Sequence, residues 1–129
     1  MKTYPFENLG VWHYALALVR RVYGLVRKLP KTEMFGISDQ MRRAAVSVAL
    51  NIAEGKAADT DAVFRRFLGI SLKSLVEVVA CLKICRSLDL LSDADVDDIC
   101  SHCDRLRAQL ISLRKTLQTK SNPASALRA

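Results

Sequence analysis

Four cysteines and two histidines are the residues best suited to metal or nucleophile chemistry. The cysteines form two pairs, Cys81 with Cys85 and Cys100 with Cys103, and His102 lies beside the second pair. Such side chains bind Zn²⁺, but zinc cysteine pairs usually stand on a knuckle or turn, whereas both pairs here fall within helical patterns. We therefore predict reduced thiols packed in the core, with no metal and no cofactor.

The histidines also lack catalytic surroundings. Neither His13 nor His102 has a serine or cysteine nucleophile, or a pair of carboxylates, at catalytic spacing. The chain contains no Walker-type loop, no Rossmann glycine pattern and no His-Glu-x-x-His motif. We predict no catalytic residue, and we expect solvated or interfacial histidines. A binding or structural role is favoured over an enzymatic one.

Residues 38–55 carry a narrow polar arc on an otherwise apolar helical pattern. One apolar row is formed by Met41, Ala45, Val48 and Ile52. The polar arc consists of Arg43, Ser47, Asn51 and Glu54, with Arg42 beside it. A helix that is apolar over most of its circumference must be buried on several sides, so this segment is predicted to be a bundle centre or part of a subunit contact.

Unpaired charge is costly to bury, so the polar arc needs partners. We predict a buried polar network that fixes helix register or a subunit contact, with a functional site as the alternative. Glu77 stands alone among apolar and basic residues, and it is the expected acidic partner of Arg42 or Arg43.

Heptad-like apolar spacing predicts four long helices. The first is predicted from a cap at Asn8 to about Leu29, before Pro30. The second is predicted between an N-cap at Ser38 and a C-cap at Gly55. The third helix is predicted to follow a cap at Asp59 or Thr60 and to end near Leu88. The fourth is predicted to begin with a capping box of Ser92 and Asp95 and to end near Gln118.

Four amphipathic helices joined by short loops predict an all-α, antiparallel, up-down-up-down four-helix bundle. The bundle domain is predicted over residues 1–120, and residues 121–129 are predicted to be a flexible polar tail. The N-terminus has no apolar leader, and no run reaches the ~20 apolar residues of a membrane span, so we expect a cytoplasmic protein with no membrane partner.

The net charge of +7 favours a polyanionic partner such as RNA or DNA. In an antiparallel bundle, one end gathers the tentative phosphate-binding residues, which are Lys56, Arg65, Arg66, Arg114 and Lys115. The opposite end gathers Asp89, Asp93, Asp95, Asp97 and Asp98. The protomer is therefore expected to have one basic and one acidic end. Few exposed aromatic residues interleave the basic residues, so base-specific readout is not predicted.

Three segments resemble one bacterial family. QMRRAAVSVALNIAEG, residues 40–55, resembles the signature of the four-helix bundle family encoded in intervening sequences of 23S rRNA genes. FENLGVWHYALALVRRVY, residues 6–23, and FRRFLGISLKSLVEVVACL, residues 64–82, resemble the first and third helices of that family. The similarity extends from Phe6 to about Leu117.

The resemblance implies a bundle that assembles into a ring-like homo-oligomer, a pentamer, with no established enzymatic activity. A looser similarity connects that family to the accessory protein of diversity-generating retroelements, a basic barrel-shaped pentamer that binds nucleic acid and a reverse transcriptase. We therefore predict a non-enzymatic oligomer that binds the RNA or DNA backbone through a basic rim. The alternative is a structural scaffold for a protein partner, without nucleic-acid binding.

Overall fold

The structure is a computed structural model that describes residues 3–121, with side chains described for residues 3–118. It contains α1 (Gly10–Val26), α2 (Ile37–Lys56), α3 (Asp61–Ser87) and α4 (Asp93–Ser121). Two short 3-10 turns precede α1 and α2, at Pro5–Asn8 and Lys31–Glu33. No residue in the described range belongs to a strand, and the predicted all-α four-helix bundle is confirmed.

Each helix packs against its neighbours in the chain, and α1 also packs against α4 to close the bundle. The α1 and α4 helices are antiparallel. Arg21 bonds to Asp98, and Lys28, which lies just beyond the end of α1, bonds to Asp95, which lies earlier on α4. The core holds leucines from α1, α3 and α4, such as Leu18, Leu75 and Leu106, which have no solvent exposure or almost none. This packing places the start of α3 beside the end of α4.

Two predicted helix starts agree with the caps observed. Thr60 Oγ1 accepts a hydrogen bond from the Val63 backbone N–H at 3.2 Å, and α3 begins at the next residue. Ser92 Oγ accepts from the Asp95 N–H at 3.1 Å, and α4 begins at Asp93. Of the two bonds in the predicted capping box, the structure contains the one that Ser92 accepts. The Asp95 carboxylate is bonded to Lys28 Nζ instead.

The predicted bounds of the first two helices are wrong by a few residues. Residues 5–8 form a separate 3-10 turn, so α1 begins at Gly10, and it ends at Val26 rather than Leu29. Ser38 is buried inside the first turn of α2, which follows Gly36. Gly55 lies within α2 because that helix continues to Lys56. Tertiary packing outweighs capping preference at both of these positions.

Candidate nucleic-acid interface

The basic end of the bundle, defined as Lys56, Arg65, Arg66, Arg114 and Lys115, is built around two arginines on adjacent helices. Arg65 Nε on α3 donates to the Arg114 carbonyl oxygen at 3.3 Å, and Arg114 Nε on α4 donates to the Arg65 carbonyl oxygen at 3.1 Å. Arg65 Nη2 also donates to Gln118 Oε1 at 3.4 Å. The reciprocal bonds hold both guanidinium groups across the α3–α4 seam.

Gly69 makes room for this arrangement. A Cβ atom built at Gly69 would lie 3.3 Å from Arg114 Nη2, so a larger residue there would crowd the guanidinium. A guanidinium has five N–H donors, and the observed bonds occupy only some of them. Both arginines therefore keep donors for an anionic ligand.

Lys56 and Arg66 extend the positive charge around the arginine pair. Lys56 Nζ lies 5.8 Å from the centre of the Phe64 ring, and Phe64 immediately precedes Arg65 on α3. Lys56 also stands in the last turn of α2, where the helix dipole favours a cation. Arg66 on α3 and Lys115 on α4 are exposed. The structure thus brings residues from three helices to one end.

The predicted acidic end is largely neutralised by basic side chains. Asp98 pairs with Arg21 at 3.2 Å, and Asp95 pairs with Lys28 at 3.1 Å. Arg86 reaches Asp97 at 3.6 Å and Asp93 at 4.0 Å. These exposed pairs contribute little to stability, but they offset the charge of the aspartates. That end is therefore less acidic than the sequence predicts.

The basic end lacks this compensation in the described part of the chain. Lys56, Arg65, Arg66 and Arg114 form no ion pair with any described residue. Acidic groups are also present there, since Asp59 and Asp61 flank Thr60 at the start of α3. They too form no ion pair with the described basic residues. The charges of Lys56, Arg65, Arg66 and Arg114 are therefore not offset by ion pairs within the described residues.

The polar arc of α2 divides into a half-buried part and an exposed part. Ser47 Oγ lies 2.8 Å from Ser74 Oγ on α3, and Asn51 Nδ2 donates to the Ser47 carbonyl oxygen at 2.8 Å and to Ser47 Oγ at 3.0 Å. Buried Ser71 donates to the Val48 carbonyl oxygen at 2.8 Å. The sequence analysis did not predict Ser74 as the partner of Ser47. The available signal was the position of Ser74, one turn after Ser71 in a largely apolar helix.

The predicted pairing of Glu77 with Arg42 or Arg43 is wrong for the protomer. Glu77 Oε1 accepts a hydrogen bond from Gln40 Nε2. Arg42 donates to the Met34 carbonyl oxygen at 3.1 Å. Both arginines approach Asp39, at 3.9 and 3.8 Å, because that residue lies one turn earlier on the same helix.

The α2 helix is buried on several sides, as predicted, but one of its faces is open in the protomer. A groove of about 430 Å³ follows this face; it is lined by Tyr23 of α1 and by residues of α2 that include Val46, Leu50 and Glu54. Leu50 is 50% exposed, and Tyr23 is 42% exposed. The Arg43 side chain, at 80% exposure, and Glu54 also face solvent rather than a buried network.

The cysteines are free thiols within the described structure, and three of the four are packed in the core as predicted. Cys81, Cys85 and Cys103 are buried, and Cys100 is half-buried. Burial raises the pKa of all four thiols, and that of Cys103 reaches about 12. Protonated thiols are poor nucleophiles and poor metal ligands. The described residues contain no group of three or more His, Cys, Asp or Glu side chains placed to hold a metal ion.

The two histidines differ in their surroundings. His13 is exposed as predicted, with its Nε2 2.7 Å from the Glu7 carbonyl oxygen. The prediction of a solvated or interfacial His102 is wrong: this residue is buried and stacks on Tyr14 with ring centres 4.7 Å apart. Its Nε2–H donates to the Tyr14 carbonyl oxygen at 2.8 Å, so the ring joins α4 to α1.

The described helices include none with the length and apolar character needed to cross a lipid bilayer. Together, the fold and the basic end define a small all-helical bundle protein in which basic side chains gather where α2, α3 and α4 meet. A family model described as 23S rRNA-intervening sequence protein matches residues 7–112. The chain belongs to this family, and the resemblance noted in the sequence is confirmed.

A solved structure has a similar fold. It is the 1.70 Å crystal structure of a protein with unknown function from the S23 ribosomal protein family of Bacteroides thetaiotaomicron VPI-5482. The two proteins share 25% sequence identity and a TM-score of 0.76, and the match covers 81% of this chain and 98% of the other. No curated protein sequence matches this chain. The looser similarity to the retroelement accessory protein stays a prediction.

Proposed function

We propose that this protein is a non-enzymatic oligomeric bundle that binds the phosphate backbone of RNA or DNA through its basic end. The observation that carries the proposal is the reciprocal bonding of Arg65 and Arg114, which holds two guanidinium groups together without an acidic partner among the described residues. Arginine donors suit phosphate oxygens, and charge-assisted bonds of this kind are stronger than neutral ones.

The remaining residues of the basic end support the same ligand. Lys56 and Arg66 add positive charge beside the arginine pair, and exposed Lys115 follows Arg114 on α4. Contacts with phosphates position a protein on nucleic acid without reading sequence. Such binding weakens as salt rises, because each neutralised phosphate releases a counterion.

Assembly strengthens this mode of binding. The proposal includes a cyclic homo-oligomer in the cytoplasm, a pentamer as the family resemblance implies, in which parallel protomers place their basic ends on one rim. Several weak phosphate contacts on a rim act together, so the affinity of the ring exceeds that of one protomer. The open face of α2, with half-exposed Leu50, supports the contact between protomers.

The test compares two charge reversals on α3 by fluorescence anisotropy with labelled RNA and DNA at several salt concentrations. Arg66→Glu removes an exposed charge at the basic end, and Lys83→Glu changes the net charge equally about 25 Å along the same helix. We expect Arg66→Glu to weaken binding and to reduce the salt slope by about 0.7 to 0.9 for each phosphate that is no longer neutralised, whereas Lys83→Glu keeps both near the wild-type values.

Equal effects of the two variants would show that net charge alone causes binding, and the basic end would lose its assigned role. The absence of RNA and DNA binding at low salt would overturn the proposal in favour of the protein scaffold. Arg65 is unsuitable for the first variant, because its side chain also joins α3 to α4.

A further inference from the structure

An apolar pocket lies beside the basic end, between the N-terminal 3-10 turn and the last turns of α2. Its volume is about 270 Å³, and its walls include Tyr4, Phe6, Ala53 and Ala57. Lys56 and Glu54 also line it. Lys56 is therefore shared between this pocket and the basic end. Sites for drug-sized ligands occupy about 300–1,000 Å³, so this pocket suits a smaller, flat and largely apolar group.

The aromatic wall of the pocket is held in place by the N-terminal turn. The Tyr4 and Phe6 rings are close to parallel, with centres 6.1 Å apart and planes at 18°. Phe6 packs edge-on against Trp12 of α1, with ring centres 4.6 Å apart. The Tyr4 backbone N–H donates to Glu7 Oε2 at 2.6 Å, which closes the turn. Tyr4 is nevertheless 70% exposed.

An exposed aromatic ring beside a lysine is the combination with which proteins bind single strands. Bases stack on such rings while basic side chains follow the backbone, and the stacking tolerates any base because each has a π face. In a duplex the bases are already stacked and paired, so they cannot enter a side pocket without being flipped out. A site that combines an exposed ring with basic side chains therefore favours single strands over duplexes.

We propose that this pocket accepts an unpaired nucleobase stacked against Tyr4, so that the preferred ligand of the basic end is single-stranded RNA or DNA. This inference rests on the proposed function and names its ligand class. Lys56 binds the phosphate next to the stacked base. Arg65, Arg66 and Arg114 bind phosphates further along the strand.

The test measures binding of a 20-nucleotide poly-uridine strand and of an RNA duplex of equal length. We expect the wild type to bind the single strand more tightly. Tyr4→Ala should weaken single-strand binding at least about fivefold, the lower bound for removing one aromatic–base stack, and should leave duplex binding unchanged. Tyr4→Phe keeps the ring and should restore single-strand affinity.

Phe35→Ala is the matched control, because Phe35 is a 91% exposed aromatic residue near the start of α2, at the opposite end of the bundle. It should leave both affinities at the wild-type values. A strand containing 5-iodouracil provides a second measurement, since irradiation should attach it to Tyr4 or Phe6. Both residues lie in the single tryptic peptide spanning residues 3–20, where mass spectrometry locates the adduct.

The outcomes separate this inference from the proposed function. If single strands and duplexes bind equally and Tyr4→Ala changes neither, the base pocket is overturned while the basic end stands. If neither ligand binds at low salt, both proposals fail. If Tyr4→Ala changes the mass measured by light scattering, the pocket is a contact between copies of the chain, and this also overturns the inference.

Discussion

Arg65 and Arg114 show how much of the site could be predicted at the scale of single residues. Their positions near the start and the end of two antiparallel helices place them at one end, and the sequence predicts this correctly. Their reciprocal bonds to each other's backbone depend on the local register of α3 against α4, which residue spacing does not define. Glu77 shows the same limit, because Gln40 rather than an arginine lies opposite it.

Cys103 leads to a prediction about pH. Burial raises the pKa of its thiol from 9.0 to about 12. Between these two values the unfolded chain releases a proton that the folded chain keeps, so the free energy of unfolding falls as pH rises. The stability that depends on this proton is fully present below about pH 9 and is lost as the pH rises towards 12. Between about pH 8 and about pH 10.5, the free energy of unfolding should fall in both proteins. We expect the fall to be about 2 kcal/mol smaller in Cys103→Ala than in the wild type.

Urea unfolding at the two pH values measures this difference. Cys100→Ala is the matched control, since Cys100 is half-buried and its substitution should change the pH dependence less. Equal losses of stability in the wild type and Cys103→Ala would contradict the assignment of a raised pKa to that thiol.

At the scale of helices, the seam between α2 and α3 is formed by small residues. Ser71 bonds to the Val48 carbonyl oxygen, Ser47 meets Ser74, and Gly55 lies against two phenylalanines. The apolar periodicity of each helix is local information, so the existence and order of the helices could be predicted. The packing role of Gly55 could not be predicted. A glycine that ends a helix and a glycine that lets a neighbouring helix approach closely have the same local sequence.

Gly55→Ala should destabilise the fold, although alanine favours helices over glycine. A Cβ atom at this position would lie 2.8 Å from Phe67 Cβ and 2.9 Å from Phe64 Cδ1, so the α2–α3 seam would have to open. We expect a loss of about 1 to 3 kcal/mol in the free energy of unfolding, measured by urea denaturation.

Gly24→Ala is the control, because a Cβ atom there meets no other residue within 4 Å. It should stabilise α1 by roughly 0.5 to 1 kcal/mol through helix propensity. A stabilising effect of similar size for Gly55→Ala would show that the seam has more space than the structure indicates.

At the scale of the whole molecule, the proposed binding and assembly depend on the basic end and on the open face of α2. Net charge and the order of basic residues are visible in the sequence, so the basic end could be predicted. The neutralisation of the aspartates could not be predicted from the sequence, because it depends on ion pairs that side chains of α1, of the segment just after it and of α3 form with α4. The sequence also predicts that α2 is a bundle centre or part of a subunit contact, and half-exposed Leu50 identifies the face of α2 that stays open in the protomer.

Assembly through that face predicts a solution mass that is a multiple of 14.4 kDa, measured by multi-angle light scattering. Leu50→Lys places a charge among Tyr23 and Val46 in the groove, and it should reduce the mass to that of a monomer because burying an unpaired charge is costly. Val76→Lys alters a 58% exposed valine on α3 and should keep the mass unchanged. A monomeric wild type would contradict this prediction.

The antiparallel course of the chain also governs how the protein should be handled. The N-terminal turn and the end of α4 both lie at the end of the bundle that holds the arginine pair, so a tag fused directly to Thr3 or to Ser121 would begin at that end. An acidic tag there would compete with the proposed anionic ligand for the basic side chains and lower the affinity measured for it. The turn between α3 and α4, where Asp89 adopts a φ of 57°, lies at the far end and is the better attachment site for a fluorophore or a surface linker.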